Sequence, residues 1–229
     1  MCGVSAIYEF DRDGFKGKKT LELMNASQHH RGPDGSGIFI NEYVGLGHNR
    51  LAIIDIATGQ QPLVDATNRV AVTYNGEIYN FKALKAELIT LGFSFNTDSD
   101  TEVIVNAWLA WDVKCVDKFN GMFAFVLWDK STRTLFAARD RLGIKPLHWA
   151  LTNNNQLVIS SELKAIKRHC DIDFTINEAA LEDFLTLGYV IEPKSIYKQI
   201  HKIPAGHYLL INEHESKVET KSYWDVKSF

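Results

Sequence analysis

Cysteine is scarce in this chain. Its three, Cys2, Cys115 and Cys170, are too few and too scattered for a disulfide framework or a zinc site. A reducing, cytoplasmic setting is the expectation. No apolar run approaches the ~18 residues of a membrane-spanning helix. Residues 1–10 lack the basic stretch followed by an apolar stretch that marks a secretory signal, which also argues against a lipoprotein cysteine. Clustered positive charge is missing as well. The formal net charge is -3, and the longest basic cluster, Lys164-Ala-Ile-Lys167-Arg168-His169, reads as a solvated helix face. Nucleic acid and membrane are therefore not expected partners. There is no Walker-type loop: Gly32, Gly35 and Gly37, or Gly45 and Gly47, do not fit a phosphate cradle. Internal repeats and low-complexity linkers are absent too.

What is present is an ordinary globular composition, 45% hydrophobic and 23% charged over 229 residues. That length suits one large domain or two small ones, with a sizeable core. The opening Cys2-Gly-Val-Ser-Ala-Ile-Tyr8 is apolar and β-prone and predicts a buried strand. Residues 21–28 predict a helix, and residues 30–37, dense in turn formers, a loop. Short strands are expected at 38–40, 44–48 and 69–74. Residues 81–91 form an amphipathic pattern with Phe81, Leu84, Leu88 and Leu91 on one face and Gly92 as the stop. A second helix is expected over 101–111, with an N-cap from Asp98-Ser-Asp-Thr. Strands follow at 122–128, 134–138 and 157–160, then a helix over 177–187 capped by Asn177, then extended chain from 202 to 211 and in the tail after it. Strands in runs with paired helices between them predict layered sheets covered by helices rather than alternating βαβ units. Residues 213–229 are polar with isolated aromatics and read as a tail or docking strip.

Four groups of residues carry chemical potential. A cysteine directly after the initiator methionine permits removal of Met1, which leaves a thiol and an α-amine on one residue. Their reference pKa values, about 8.5 and about 7.7–8.0, make proton transfer between them nearly thermoneutral, and an N-terminal amine can activate its own side chain. A chance cysteine in a buried strand is the plain alternative. In Tyr74-Asn-Gly-Glu-Ile-Tyr-Asn80, the Asn75 side chain and the Gly76 backbone could aim two N–H donors at one oxyanion; the alternative is an Asn-Gly hairpin turn. Arg50, after an apolar strand, offers a planar fork for a carboxylate or a surface salt bridge. Asp100 could receive an ammonium, cap the helix that begins near Thr101, or do both.

Taken together, these segments resemble the class II glutamine amidotransferase domain, the N-terminal nucleophile glutaminase at the head of asparagine synthetases. The resemblance is carried by Met1-Cys-Gly-Val, His30-Arg-Gly-Pro-Asp-Gly, Gly47-His-Asn-Arg-Leu-Ala-Ile-Ile-Asp, Gln61-Pro-Leu, Tyr74-Asn-Gly-Glu-Ile-Tyr-Asn, Ser99-Asp-Thr-Glu-Val, Phe119-Asn-Gly-Met-Phe-Ala-Phe, Arg139-Asp-Arg-Leu-Gly-Ile-Lys-Pro-Leu and Ser160-Ser-Glu-Leu-Lys-Ala-Ile, in that order. Each is weak singly; nine in order are specific. The resemblance implies an α+β fold, a four-layer αββα sandwich of two mostly antiparallel sheets (the N-terminal nucleophile hydrolase fold). It implies that Cys2 attacks the side-chain amide carbon of L-glutamine, that Asn75 and Gly76 hold the oxyanion, that Arg50 clamps the α-carboxylate with backbone help from Ile53 and Ile54, and that Glu77 and Asp100 take the α-ammonium. Arg31 to Asp34 read as a structural turn, Arg139 to Arg141 as ion pairs, and Cys115 and Cys170 as small apolar fillers.

The family implies a second part that consumes the ammonia. In the asparagine synthetase group that part activates a carboxylate with ATP on a Ser-Gly-Gly-x-Asp-Ser type loop, which these residues lack. The expectation is a glutaminase domain over residues 1–212 followed by a tail or linker over 213–229 toward a synthetase domain or subunit. Segment 139–147 and the aromatic tail are the candidates for the partner-facing side. No cofactor is expected for the glutaminase half; ATP and Mg2+ are expected only in the synthetase part. A homodimer is open as an assembly, and an inactive or regulatory module that binds a synthetase partner is the alternative function.

Overall fold

A computed structural model describes residues 1–11, 13–52, 59–212 and 218–228. Two six-stranded sheets form the middle of the molecule, and every pairing between their named strands is antiparallel. The first sheet runs β10 (Ile200–Lys202), β8 (His148–Leu151), β9 (Gln156–Ser160), β1 (Gly3–Glu9), β3 (Val44–Arg50) and β2 (Gly35–Ile40). The second runs β12 (Thr220–Ser222), β11 (His207–Ile211), β7 (Thr134–Arg139), β6 (Gly121–Asp129), β5 (Val70–Ile78) and β4 (Leu63–Val64).

Side-chain alternation explains the layers. Successive strand residues face opposite sides, so a sheet buried on both faces needs apolar residues at nearly every position. In β6, Phe123, Phe125 and Leu127 join one apolar cluster while Ala124, Val126 and Trp128 join another. The second cluster lies between the sheets, where Val4, Ala6, Val44 and Leu46 meet Ala71 and Ala137. On the outer face of the first sheet, α1 (Lys18–Ser27) and α5 (Leu163–Ile166) bury Leu21, Met24, Ala165 and Ile166 against Ile7 and Val158. On the outer face of the second, α2 (Phe81–Thr90), α3 (Asp100–Trp111) and α4 (Cys115–Lys118) cover Val70, Val72 and Tyr74. The αββα sandwich expected from the sequence is the observed one. A sixth helix, α6 (Glu178–Leu187), is capped by the Asn177 side chain, which accepts from Ala180 N–H.

Several local expectations are corrected. Residues 30–37 are not simply a loop: a 3-10 turn spans His29–Arg31, and β2 starts at Gly35. The strand expected to end at Tyr74 continues to Ile78, because β6 supplies ladder partners through Gly121. Leu91 ends α2 and is exposed, so that helix buries Leu84 and Leu88 alone. Arg139 is a buried hub that donates to the carbonyls of Lys145 and Ile203 and pairs with Glu192, whereas Asp140 is satisfied by backbone N–H groups rather than by a cation. Cys115 is buried as expected, but Cys170 is exposed and fills nothing. His169, in the cluster read as a solvated face, is buried. Near the end of the chain, Thr220–Ser222 pairs with β11, and Tyr223 Oη donates to Arg139 O at 2.8 Å.

Candidate active site

Cys2 immediately precedes β1, opposite the end of β3, where Gly3 pairs with Asn49. The thiol is half-buried. Leu51 N–H donates to Sγ at 3.4 Å, and Sγ lies 3.7 Å from Leu51 O. Arg31 in the 3-10 turn fixes the backbone here: Nε donates to Cys2 O at 2.9 Å and Nη1 to Glu162 Oε1 at 2.9 Å. Burial pushes the Glu162 carboxyl up, but hydrogen bonds from Arg31 and His30 outweigh it and hold the group below its ordinary value.

β5 presents the two oxyanion candidates because its outer edge is open. β4 covers only Ala71 and Val72, so among the described residues the strand beyond has no backbone partner on that side. The N–H groups of Tyr74, Gly76 and Ile78 alternate onto this edge, away from β6. Side chains satisfy the outer two: Tyr74 N–H donates to Gln61 Oε1 at 2.7 Å and Ile78 N–H to Asp100 Oδ2 at 3.0 Å. Gly76 N–H, between them, opens on the cavity. An added Cβ at Gly76 would lie 2.3 Å from Met122 O and 2.8 Å from Phe123 Cα, so only glycine fits so close to β6. Asn75 is 2% exposed, and its Nδ2 has no hydrogen-bond partner among the described residues. Leaving a buried amide donor unpaired is costly, and this one borders the cavity that Asn75 lines.

The same cavity, about 90 Å³, is lined by Cys2, Arg50, Asn75, Gly76, Glu77 and Asp100. Six of the eight residues selected from the sequence thus surround one space; Ile53 and Ile54 lie outside the described residues. Asn75 and Gly76 sit inside a nine-residue strand, which rules out the hairpin turn. Asp100 is the first residue of α3, and Ser99 is the cap, its side chain accepting from Thr101 N–H. Asp100 instead accepts from Tyr74 Oη at 2.6 Å. Burial raises the Asp100 carboxyl above its ordinary value, against the pull of the Tyr74 and Ile78 hydrogen bonds. Burial and then the Asp100 charge raise Glu77, which Lys145 pulls back down. Cations (Arg50, Lys145) and carboxylates (Glu77, Asp100) therefore share one small cavity with a thiol, as a free amino acid's two charged groups require.

Sequence reasoning gave no individual role to Arg31, Gln61, Tyr74 or Lys145. All four lay in segments that carried the family resemblance, but only the fold shows what they touch. Met1 also lines the cavity, and its peptide bond occupies the Cys2 nitrogen. Among the described residues, one group has metal-type ligand atoms, His169, Cys170 and Asp171, within 4.8 Å of one another. Both ring nitrogens of His169 are engaged there, by Gln156 Oε1 and by Asp171 N–H, which fits a closed hydrogen-bond network better than a metal centre. No helix among the described residues is long and apolar enough to cross a membrane.

Comparison with known proteins gives the family of the chain. Residues 1–224 match the family model described as a glutamine amidotransferase domain. The chain is 36% identical over 231 residues to "Asparagine synthetase [glutamine-hydrolyzing] 3" of Bacillus subtilis, covering 100% of this chain and 37% of that protein. It is 36% identical over 250 residues to "Putative asparagine synthetase [glutamine-hydrolyzing] 2" of Methanocaldococcus jannaschii, covering 100% of this chain and 47% of that one. The chain thus spans less than half the length of either relative. Among solved structures, the glutamine phosphoribosylpyrophosphate amidotransferase of B. subtilis superposes with a TM-score of 0.67 at 22% identity, over 97% of this chain and 49% of that one, a likeness of fold. With a family match over nearly its whole length, this chain belongs to the glutamine amidotransferase domain family.

Proposed function

We propose that the chain hydrolyses the side-chain amide of L-glutamine to glutamate and ammonia through a thioester on Cys2, once removal of Met1 has freed the α-amine. The observation that carries this reading is the buried, unpaired Nδ2 of Asn75 beside the open N–H of Gly76, in the cavity that holds the Cys2 thiol. The α-amine takes the thiol proton and the sulfur attacks the amide carbon. Oxygen becomes an oxyanion held by Asn75 Nδ2 and Gly76 N–H. As the C–N bond breaks, the ammonium of Cys2 returns its proton to the departing nitrogen, which leaves as ammonia. Water, deprotonated by the same amine, then attacks the thioester; a second oxyanion uses the same donors, and its collapse restores the thiol and releases glutamate. Arg50 holds the α-carboxylate, with the backbone of Ile53 and Ile54 in support, while Glu77 and Asp100 receive the α-ammonium. Nucleophile, base and oxyanion donors all belong to this chain, so the hydrolysis is assigned no cofactor.

The ammonia passes to an ATP-dependent amidotransferase of the asparagine synthetase type, as a following domain or a separate subunit, with ATP and Mg2+ confined to that part. Similarity to proteins named as glutamine-hydrolysing asparagine synthetases supports this reading. The three unpaired thiols fit a cytoplasmic protein. The decisive experiment pairs intact-mass measurement with glutamate release from glutamine. Chain that has lost one methionine should turn over, chain that retains Met1 should not, and Cys2→Ala should abolish release while the fold stays intact. A folded, methionine-free sample with no turnover, with or without a synthetase, refutes the proposal and favours a regulatory module.

A further inference from the structure

Lys145 was absorbed by none of the roles above, and its setting is unusual. It is only 6% exposed, although lysines are seldom buried without a partner. It lies on the loop between β7 and β8 and lines the cavity together with Glu77 and Asp100. The loop is pinned at short intervals. The buried Asp140 carboxylate accepts the backbone N–H of Leu142 at 3.1 Å, Ile144 at 2.9 Å and Lys145 at 2.9 Å, and Arg139 Nε donates to Lys145 O at 2.7 Å. Leu142 and Ile144 are exposed on this loop while Lys145 faces the cavity.

We propose that Lys145 is a positioning residue for substrate recognition, the resident counter-ion of the Glu77–Asp100 pair, which keeps Glu77 ionised to receive the α-ammonium of glutamine. This rests on the glutaminase reading and deepens it. Two carboxylates in a poorly solvated cavity cannot both stay charged without compensation. The titratable and charged groups that share the cavity with Glu77 are Asp100 from α3, Tyr74 from its own strand, Arg50 from β3, Cys2 ahead of β1 and Lys145. Arg50 is the residue proposed above for the substrate carboxylate, and Lys145 is the other cation among the described residues of the cavity wall. With glutamine bound, Arg50, Lys145 and the α-ammonium balance Glu77, Asp100 and the α-carboxylate. Burial first, then Asp100, drives the Glu77 carboxyl upward, and Lys145 is the cation that opposes them.

The test is glutamine binding by calorimetry to the Cys2→Ala protein, where turnover cannot interfere, between about pH 5 and 8. Adding Lys145→Met should leave affinity at the alkaline end equal or tighter, since a cation near the ammonium is gone. Toward the acid end affinity should fall about tenfold further than in the parent, as an unopposed Glu77 takes up a proton. Near neutral pH and below, repeated titrations in buffers of different ionisation enthalpy should reveal proton release on binding. Lys145→Arg should restore the parent curve, and Glu77→Gln added to Lys145→Met should remove the proton release. Lys145→Gln serves the same purpose if the methionine variant does not fold. Superimposable curves, or equal weakening at every pH without proton release, would overturn the role of Lys145 and leave the glutaminase reading standing. Absence of glutamine binding to the Cys2→Ala protein itself would remove both.

Discussion

At the scale of single residues, Asn75 and Gly76 show how identity and reason separate. Residue type named them in the sequence as a side-chain amide beside a glycine, with a hairpin turn as the alternative. The deciding fact is that β4 stops after two residues, so the edge of β5 is left for side chains and substrate to complete. No local pattern at Asn75 reports the length of β4. Asn75→Ala should lower kcat for glutamine hydrolysis about 10²–10³-fold, because the donor acts on charge that develops only in the transition state. KM should change little, and steady-state glutamate release checks both. An unchanged kcat would remove the amide from the oxyanion site. Gly76→Ala should be worse than a lost donor, since its methyl collides with the Met122 carbonyl of the neighbouring strand. The expected outcome is a displaced β5, read as a lower denaturation midpoint together with lost turnover.

At the scale of elements, the sequence served best where periodicity or capping chemistry is strong. The helix cap at Asn177, the cap within Asp98-Ser-Asp-Thr and the doubly buried β6 follow from residue type and spacing. It served worst for the short strands β4, β8, β10 and β12, of two to four residues. Strands so brief exist because a neighbour accepts them, and their own residues say little. Arg31 is the comparable miss at the site: read as part of a turn, it braces the Cys2 backbone through contacts 29 and 131 residues distant in sequence. The two caps offer a controlled comparison. Ser99→Ala and Asn177→Ala should each cost about 1 kcal/mol of stability, measured by urea unfolding. Only Ser99→Ala should also raise the KM for glutamine, because α3 begins with Asp100 in the cavity wall, while α6 contributes nothing to that wall. Equal KM values for the two variants would mean that the start of α3 does not set the position of Asp100.

At the scale of the whole molecule, closing two sheets face to face buries polar residues along with the apolar ones, and acid should expose that cost. His48 lies fully buried on β3, with Nδ1 3.1 Å from Thr73 Oγ1 on the opposite sheet. Thr73 Oγ1 donates to Gly47 O, so its oxygen accepts from an Nδ1–H of His48. Burial, aided by Arg50, holds His48 down to about 3. His148 on β8 is held down to about 4 by burial and by Arg139 and Lys202. In the unfolded chain both titrate near 6.5. Below that pH the unfolded chain binds protons that the folded chain refuses, so stability is full above about 6.5 and falls as pH drops toward the two folded values. At pH 5 the loss is about 2 kcal/mol per histidine. Asp100 and Glu77 act in the opposite sense, since their raised folded values favour proton uptake by the folded state, which blunts the fall at the acid end of the range. Urea unfolding at pH 7 and pH 5 should therefore show a lower midpoint at pH 5 with little change in slope. Replacing His48 with glutamine, which cannot take up a proton, should flatten that dependence by the share that His48 contributes, about 2 kcal/mol at pH 5. A midpoint unmoved between the two pH values would mean that water reaches these histidines in the folded state, and with it that the packing around them is looser than their burial implies.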